Sequence, residues 1–179
     1  MRISKMAIEL LEGIKDESDL ELIIDMEFSF FKNPSGHKSV ADARKLIRHL
    51  LGYPDNSLVV AYDINDPVGF SIYGPPFLED ELFRGAALQS NIRYDDNCNS
   101  VSVIAVLPEY RKKGVGTDLL QKVIEGSKEN GTSQLYATCW KGKLGESYYL
   151  FKKLGFKELG TIGGVYCDGT SGIVVVKEI

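Results

Sequence analysis

The stretch that decides the fold is SVSVIAVLPEYRKKGVGTDLLQKVIEG, residues 100–126. Its first eight residues form an apolar run, typical of a buried strand, that ends at Pro108. Three cations and two glycines follow, and the next apolar residues recur at the spacing of one helix face: Leu119, Leu120, Val123 and Ile124. The stretch therefore predicts a strand, a glycine-rich turn and an amphipathic helix in direct succession.

The turn places positive charge where a helix does not favour it. A helix N-terminus has unpaired N–H groups and the positive end of the helix dipole, so Arg111, Lys112 and Lys113 oppose it. Gly114 and Gly116 leave backbone amides free to approach the oxygens of an anion. We favour anion binding over a turn with solvated cations, because the turn follows a strand and opens an amphipathic helix.

Two common phosphate-binding motifs are missing from the sequence. Neither GxxxxGK[ST] nor GxGxxG with a later ribose-binding acid occurs. A simple nucleotide site is therefore unsupported, and a nucleotide-binding enzyme is the weakest of the functional hypotheses.

Length and composition fit one ordinary globular domain over residues 1–179, with 44% hydrophobic and 26% charged residues. The formal net charge of −4 argues against a nucleic-acid-binding protein, which would present a basic face. The N-terminus has no signal-peptide apolar region, and no run of about 18 apolar residues occurs, so we expect no membrane segment.

The cysteines and histidines favour a cytoplasmic protein without a metal site. Cys98, Cys139 and Cys167 are widely spaced and form no CxxC motif, which is typical of reduced thiols. The two histidines offer no spacing for a zinc site. We therefore expect a cytoplasmic location and no bound metal.

The remaining elements predict a mixed fold. Residues 8–15 read as a short strand, although a helix is also compatible. Capping boxes at Ser18–Glu21 and Ser39–Asp42 predict two helices, and residues 57–64 and 67–74 predict a hairpin. A strand, a short helix and a terminal strand follow, at 134–140, 145–154 and 171–179. A strand–helix–strand unit must cross over right-handedly to lie parallel, so we predict an α/β or mixed α+β fold.

Two segments of the sequence resemble those of a known family. VLPEYRKKGVGTDLL resembles the [QR]-x-x-G-x-[GA] signature of the GNAT N-acetyltransferase superfamily, with Arg111, Gly114 and Gly116 in the fixed places. SYYLFKKLGF resembles the family's second segment, which ends in the pair Gly155–Phe156. The resemblance implies a three-layer fold whose central, mostly antiparallel sheet of about seven strands is flanked by helices. Residues of about 100–157 would bind acetyl-CoA as the cosubstrate.

The resemblance also implies roles for individual residues. The backbones of Ile104, Ala105 and Val106 would hold the pantetheine arm, and the Val106 N–H would donate to the thioester oxygen. Ser147 would offer a weaker hydroxyl contact, since Leu144 replaces a common asparagine. The pyrophosphate would be wrapped by Arg111, Lys112, Lys113, Gly114, Val115, Gly116 and Thr117.

The catalytic residues are less well defined. The family's usual tyrosine, the proton donor to the departing thiolate, is replaced by Phe151. Tyr148 and Tyr149 are the alternative donors, although packing is the more common role of such aromatic residues. The strand before the turn has no carboxylate to serve as the base. The acidic segments FLEDELF and RYDDN, within the unusually long stretch 75–99, would border the acceptor and supply one.

The resemblance implies an N-acetyltransferase that moves an acetyl group from acetyl-CoA to a primary amine by direct transfer in a ternary complex. The acceptor is a small molecule or a protein amine, and a homodimer is common for such domains. The alternative is a non-catalytic acyl-CoA-binding sensor or interaction domain, which the replacement by Phe151 favours.

Overall fold

The computed structural model describes residues 8–31, 39–76, 94, 97–140, 146–164 and 169–179. Several predictions concern positions outside these ranges, namely the contact position of Leu144 and the acidic residues Glu79, Asp80, Glu81, Asp95 and Asp96.

The described strands form one seven-stranded sheet in the order β1-β2-β3-β4-β5-β7-β6. All neighbouring strands are antiparallel except β4 and β5, which are parallel as the strand–helix–strand unit predicts. The predicted mixed and mostly antiparallel sheet is therefore confirmed. The bounds are β1 (Ile8–Glu12), β2 (Ser57–Asp63), β3 (Asp66–Gly74), β4 (Cys98–Val106), β5 (Gln134–Trp140), β6 (Lys157–Ile162) and β7 (Gly172–Glu178).

Helices cover both faces of the sheet. The described helices are α1 (Glu17–Phe31), α2 (Val40–Leu51), α3 (Val115–Glu129) and α4 (Glu146–Lys153). Residues of α1 and α2 pack with one side of β2, β3 and β4 around Ile23, Ile47 and Phe70. Residues of α3 and α4 form the core of the opposite face, around Leu119 and Phe151. The result is three layers with the sheet in the middle.

The start of α1 differs from the prediction. Asp16 rather than Ser18 caps the helix: its Oδ1 accepts hydrogen bonds from the backbone N of Ser18 (2.8 Å) and Asp19 (3.3 Å). Asp19 Oδ2 accepts in return from the backbone N of Asp16 (3.3 Å), which completes a capping box. Glu21 has another task, since its two carboxylate oxygens bind Arg44 of α2 at 2.7 and 2.6 Å.

The second predicted capping box is confirmed. The Ser39 side chain accepts from the backbone N of Asp42 (3.3 Å), and Asp42 Oδ2 accepts from the backbone N of Ser39 (2.9 Å). The buried residues of α2 are Ala43, Ile47 and Leu50, which recur at the spacing of one helix face.

A β-bulge interrupts β4 in its middle. Val103 lies opposite Ile72 of β3, and Val101 lies opposite Tyr73. Because Ile72 and Tyr73 are consecutive, Ser102 is an extra residue of β4 that has no opposite residue on β3. The side chain of Val101 belongs to the core under α3, whereas that of Val103 belongs to the core under α1 and α2. One extra residue thus reverses which face the following side chains reach.

The sheet opens directly after this bulge. Pairing between β4 and β5 covers residues 98–101 and 134–137, and no described strand pairs with β4 on that side beyond Val101. Meanwhile β5 continues to Trp140 along β7. Because bulges bend a strand and end its pairing, the two strands diverge here. We call the opening between residues 102–106 of β4 and 138–140 of β5 the split.

Candidate functional site

The second half of β4 directs backbone hydrogen-bonding groups into the split. The N of Leu107 donates to the O of Val68 (2.9 Å), so these opposite residues form a hydrogen-bonded pair of the antiparallel ladder. Such pairs alternate along a ladder, which directs the backbone of Ala105 to β3 and that of Ile104 and Val106 into the split. Of the three predicted backbone positions, Ala105 is therefore oriented away from the split.

The glycine-rich turn lies at the same end of the sheet. Gly114 is the N-cap of α3 with φ +100°, a left-handed conformation that other residues rarely adopt. At Gly116, a Cβ atom would lie 3.7 Å from Val106 Cγ2 and 3.3 Å from Leu150 Cδ2. The N-terminus of α3 therefore lies between the end of β4 and α4, where its free amides, from Val115 to Thr117, open beside the split.

Arg111 and Tyr110 fix the turn to its surroundings. The Arg111 Nε donates to the backbone O of Val106 (3.0 Å), and its guanidinium carbon lies 4.8 Å from the centre of the Phe30 ring on α1. The Tyr110 hydroxyl donates to Asp63 Oδ2 at the end of β2 (2.8 Å). The guanidinium is thus held beside the mouth of the split, where it can meet an anionic ligand.

Glu146, the first residue of α4, connects that helix to the cationic turn. Its Oε2 lies 3.6 Å from Arg111 Nη1, and its Oε1 lies 3.8 Å from Lys112 Nζ. Glu146 could not be identified from the sequence, because its partners lie more than 30 positions earlier in the chain. The sequence shows only an acidic residue in the first turn of a predicted helix. Such a residue is expected there because it stabilises the helix, so it does not indicate a binding site.

The hydroxyl of Tyr148, one of the two candidate proton donors, has a hydrogen-bond partner outside the split. The Tyr148 hydroxyl donates to Glu158 Oε2 on β6 (3.1 Å), and this hydrogen bond, together with burial, raises the pKa of Tyr148 above its usual value of 10. Since β5 and β7 lie between β4 and β6, that hydroxyl is directed away from the split. Tyr149 is 62% exposed, with its ring against that of Tyr148.

Ser147 lies on the β5 side of the split. A hydrogen bond links its hydroxyl to the thiol of Cys139, which belongs to the part of β5 beyond the parallel pairing. Burial raises the pKa of Cys139 to about 12, so the thiol stays protonated at neutral pH. A buried, protonated thiol is a poor nucleophile.

Phe151 has a packing role. Its side chain is 3% exposed, and its ring meets that of Phe156 edge to face with centres 4.9 Å apart. The residue that replaces the expected tyrosine is thus part of the core under α4.

A buried carboxylate on α1 also could not be identified from the sequence. Glu27 lies on the inner face of α1 with Ile23 and Ile24, and it is 2% exposed. It is one turn before Phe30, whose ring contacts Arg111. Ile23 and Ile24 pack in one apolar cluster with residues of β4, so Glu27 lies on the side of α1 that faces this strand.

The model of the Acetyltransferase (GNAT) family matches residues 20–156, which include most of α1, the bulged strand, the glycine-rich turn and α4. The chain belongs to the GNAT acetyltransferase family. The match extends well beyond the segment 100–157 that carried the resemblance in sequence.

Curated relatives and solved structures agree with this GNAT membership. An N-alpha-acetyltransferase of Sulfurisphaera tokodaii is 38% identical over 76 residues, which are 42% of this chain and 46% of that protein. The matched region thus spans under half of the relative's length.

Solved structures share the fold over nearly the whole chain. Ard1 of Thermoplasma volcanium has a TM-score of 0.72 at 17% identity, with 97% of this chain and 98% of that chain covered. An Elizabethkingia anophelis GNAT acetyltransferase with acetyl-CoA bound has a TM-score of 0.66 at 17% identity, with 96% and 98% covered.

Within the described ranges, the GNAT chain contains no group of three His, Cys, Asp or Glu residues that would hold a metal ion. None of its described helices has the length and apolar character needed to cross a membrane.

Proposed function

We propose that this GNAT protein transfers the acetyl group of acetyl-CoA directly to a primary amine in a ternary complex. The supporting observation is the split: Ile104 and Val106 direct backbone groups into it, and the glycine-rich N-terminus of α3 opens beside it. The extended pantetheine arm of acetyl-CoA contains amide groups that can hydrogen-bond to such a strand edge. Its diphosphate can bind to the backbone amides of such a helix N-terminus.

The proposed binding mode assigns each part of the cosubstrate to residues of this chain. Ile104 and Val106 would hydrogen-bond the pantetheine arm through their backbones, and Ser147 would contact it from the β5 side. The amides of Val115, Gly116 and Thr117, with the Arg111 guanidinium, would hold the diphosphate. In the transition state the Val106 N–H would donate to the thioester oxygen as negative charge develops there.

The transfer itself moves one acyl group and one proton. The neutral amine nitrogen attacks the thioester carbon, the C–N bond forms, the C–S bond breaks, and the ammonium proton passes to a base. We assign the base to Glu27, the buried carboxylate of α1. Glu27→Gln would then lower kcat/KM at neutral pH, while acetyl-CoA would still raise the melting temperature.

The departing thiolate takes up a proton, and Tyr148 and Tyr149 are the candidate donors. Tyr148 would have to break its hydrogen bond to Glu158 before it could donate, and its raised pKa makes it a weaker acid in this arrangement. Solvent water at the open end of the split is the remaining source.

The acceptor that we propose first is the α-amine of a peptide. Two curated relatives bear the name N-alpha-acetyltransferase, which supports this class. The physical argument is independent: about one α-amine in eight is already neutral at pH 7, against about one lysine side chain in 2,500. An enzyme without a carboxylate in β4 is better suited to the amine that needs less help from a base.

The experiment is a ligand series followed by an acceptor series. Acetyl-CoA and CoA, but not ATP, should raise the melting temperature, because a ligand at a hundredfold its Kd adds about 2.7 kcal/mol to the free energy of unfolding. Acetylation of a peptide with a free N-terminus, an N-terminally blocked peptide with one lysine, and a polyamine then separates the acceptor classes. Failure of CoA at millimolar concentration would contradict the proposed function.

The second candidate is a non-catalytic acyl-CoA-binding domain. It is favoured by the buried Phe151 at the tyrosine position and by the orientation of the Tyr148 hydroxyl towards β6. A CoA-dependent rise of the melting temperature with no turnover on the three acceptors would support this candidate instead.

A further inference from the structure

We propose that Glu146 is an internal competitor of the CoA diphosphate. Its carboxylate occupies Arg111 and Lys112 when the ligand is absent, and it must release them when the ligand binds. This inference rests on the proposed acetyl-CoA site and adds to it a residue that sets how tightly the cosubstrate binds and how fast the product CoA leaves.

The geometry supports competition at two cations. One carboxylate oxygen of Glu146 lies 3.6 Å from Arg111 Nη1 and the other lies 3.8 Å from Lys112 Nζ. The carboxylate thus bridges the two cations that begin the anion-binding turn. Because the Glu146 side chain is 60% exposed, it can rotate into solvent without disturbing the core.

Arg111 keeps its place when the carboxylate leaves. Its Nε donates to the backbone O of Val106, and its guanidinium lies against the Phe30 ring, so two contacts hold it independently of Glu146. Lys112, 86% exposed, is free to follow whichever anion is present. The cations are therefore available to an incoming diphosphate as soon as Glu146 turns away.

The balance of charges gives the direction of the effect. An exposed ion pair changes a binding equilibrium by at most about fivefold. Glu146 therefore weakens the binding of the diphosphate but does not prevent it. The diphosphate has more negative charge and also gains the amides and dipole of α3. After binding, the displaced carboxylate stays attached beside the ligand and can recapture the cations, which promotes dissociation of CoA.

Glu146→Gln is the test, because it removes the charge and keeps the shape of the side chain. Glu109→Gln is the matched control: Glu109 is exposed, it precedes Arg111 by two residues, and it forms no ion pair among the described residues. The Kd and the dissociation rate are measured for CoA, and the Kd is also measured for pantetheine, which has no phosphate.

We expect Glu146→Gln to tighten CoA binding by about two- to fivefold, mainly through slower dissociation, with pantetheine binding unchanged. Glu109→Gln should change the Kd of CoA less than twofold. An unchanged or weaker affinity in Glu146→Gln would overturn the inference. So would an equal gain in the control variant, or an equal gain for pantetheine.

The two proposals fail in different ways. If the wild-type protein binds no CoA, the proposed function is wrong and the competition falls with it. If the wild-type protein binds CoA and Glu146→Gln behaves like Glu109→Gln, the proposed function stands and the competition is wrong.

Discussion

At the scale of single residues, the candidate site depends on a few positions that tolerate little change. Gly114 is the clearest, because its φ of +100° lets the chain turn from the cationic segment into α3. Space is not the constraint, since an added Cβ would be 3.8 Å from Asp118 Oδ2. The conformation itself is what excludes other residues.

Gly114→Ala should therefore cost about 1–2 kcal/mol in the free energy of unfolding, and weaken CoA binding by about tenfold through a misplaced turn. Gly131→Ala is the matched control, because Gly131 also has a positive φ (+75°), lies in an open position and is at the other end of α3. Denaturant unfolding and calorimetric titration of both variants check this. Equal loss of CoA affinity in the two variants would contradict a role of Gly114 in the site.

Glu158→Gln should lower the pKa of Tyr148 towards its usual value of 10, because the hydrogen bond to the Glu158 carboxylate is the largest cause of its increase. Ultraviolet titration, with Tyr148→Phe to identify the signal, measures the shift. Glu178→Gln is the control, since Glu178 accepts a hydrogen bond from Gln134 instead. A faster turnover in Glu158→Gln would favour Tyr148 as the proton donor, and an unchanged pKa would contradict the hydrogen bond.

At the scale of elements, the decisive feature is a strand with two different halves. The first half of β4 pairs with a strand on each side, and the second half pairs with β3 alone among the described strands. The free backbone edge thus lies directly before the turn that opens α3. One strand and one helix N-terminus together supply the two kinds of backbone donor that the proposed ligand needs.

Amide hydrogen exchange should report this difference residue by residue. Without ligand, the amides of Ile104 and Val106 should exchange faster than those of Val103 and Ala105, because their N–H groups are directed into the split. Acetyl-CoA should slow the first pair and leave the second pair nearly unchanged. Equal protection of all four amides in the free protein would contradict the orientation derived from the ladder.

The parts of this arrangement that follow from local chemistry could be predicted from sequence. The capping box at Ser39 and the apolar face of α3 depend on neighbours within a few positions, and both predictions are confirmed. The predicted cap at Ser18 was wrong, because the carboxylate of Asp16, two residues earlier, accepts the hydrogen bond that caps the helix.

Other parts could not be predicted, because they depend on contacts between distant segments. The bulge at Ser102 becomes visible only when β4 is aligned with β3. Glu146 meets Arg111, and Tyr148 meets Glu158, only after α4 is placed over the sheet. The backbone and site roles inferred from the family resemblance stay predictions.

At the scale of the whole molecule, buried hydroxyl groups make the fold sensitive to alkaline pH. Tyr62 of β2 is fully buried, and its hydroxyl donates to Asp19 Oδ2 (2.6 Å), which ties α1 to the sheet. Burial, and then this hydrogen bond, raise the pKa of Tyr62 to about 12. Between pH 10 and pH 12 the unfolded chain therefore loses the proton first, and the free energy of unfolding decreases as pH rises.

Tyr62→Phe should lower the free energy of unfolding by about 1–3 kcal/mol at pH 8, because Asp19 loses its buried donor. The deficit should shrink between pH 10 and pH 12, since the variant lacks the ionising hydroxyl. Denaturant unfolding across this range measures both effects. Tyr149→Phe, which removes an exposed hydroxyl, is the control, and a deficit that does not change with pH would contradict the assignment.

The bulge at Ser102 has a consequence for how sequence changes would affect this protein. What matters at this position is that a residue is present, since the register of β4 against β3 shifts by one residue at Ser102. Substitution scanning should therefore record position 102 as tolerant. Deletion of that one residue would exchange the inward and outward faces of the rest of the strand. The site is encoded here by the number of residues rather than by their identity, so a method that compares only aligned letters would overlook it.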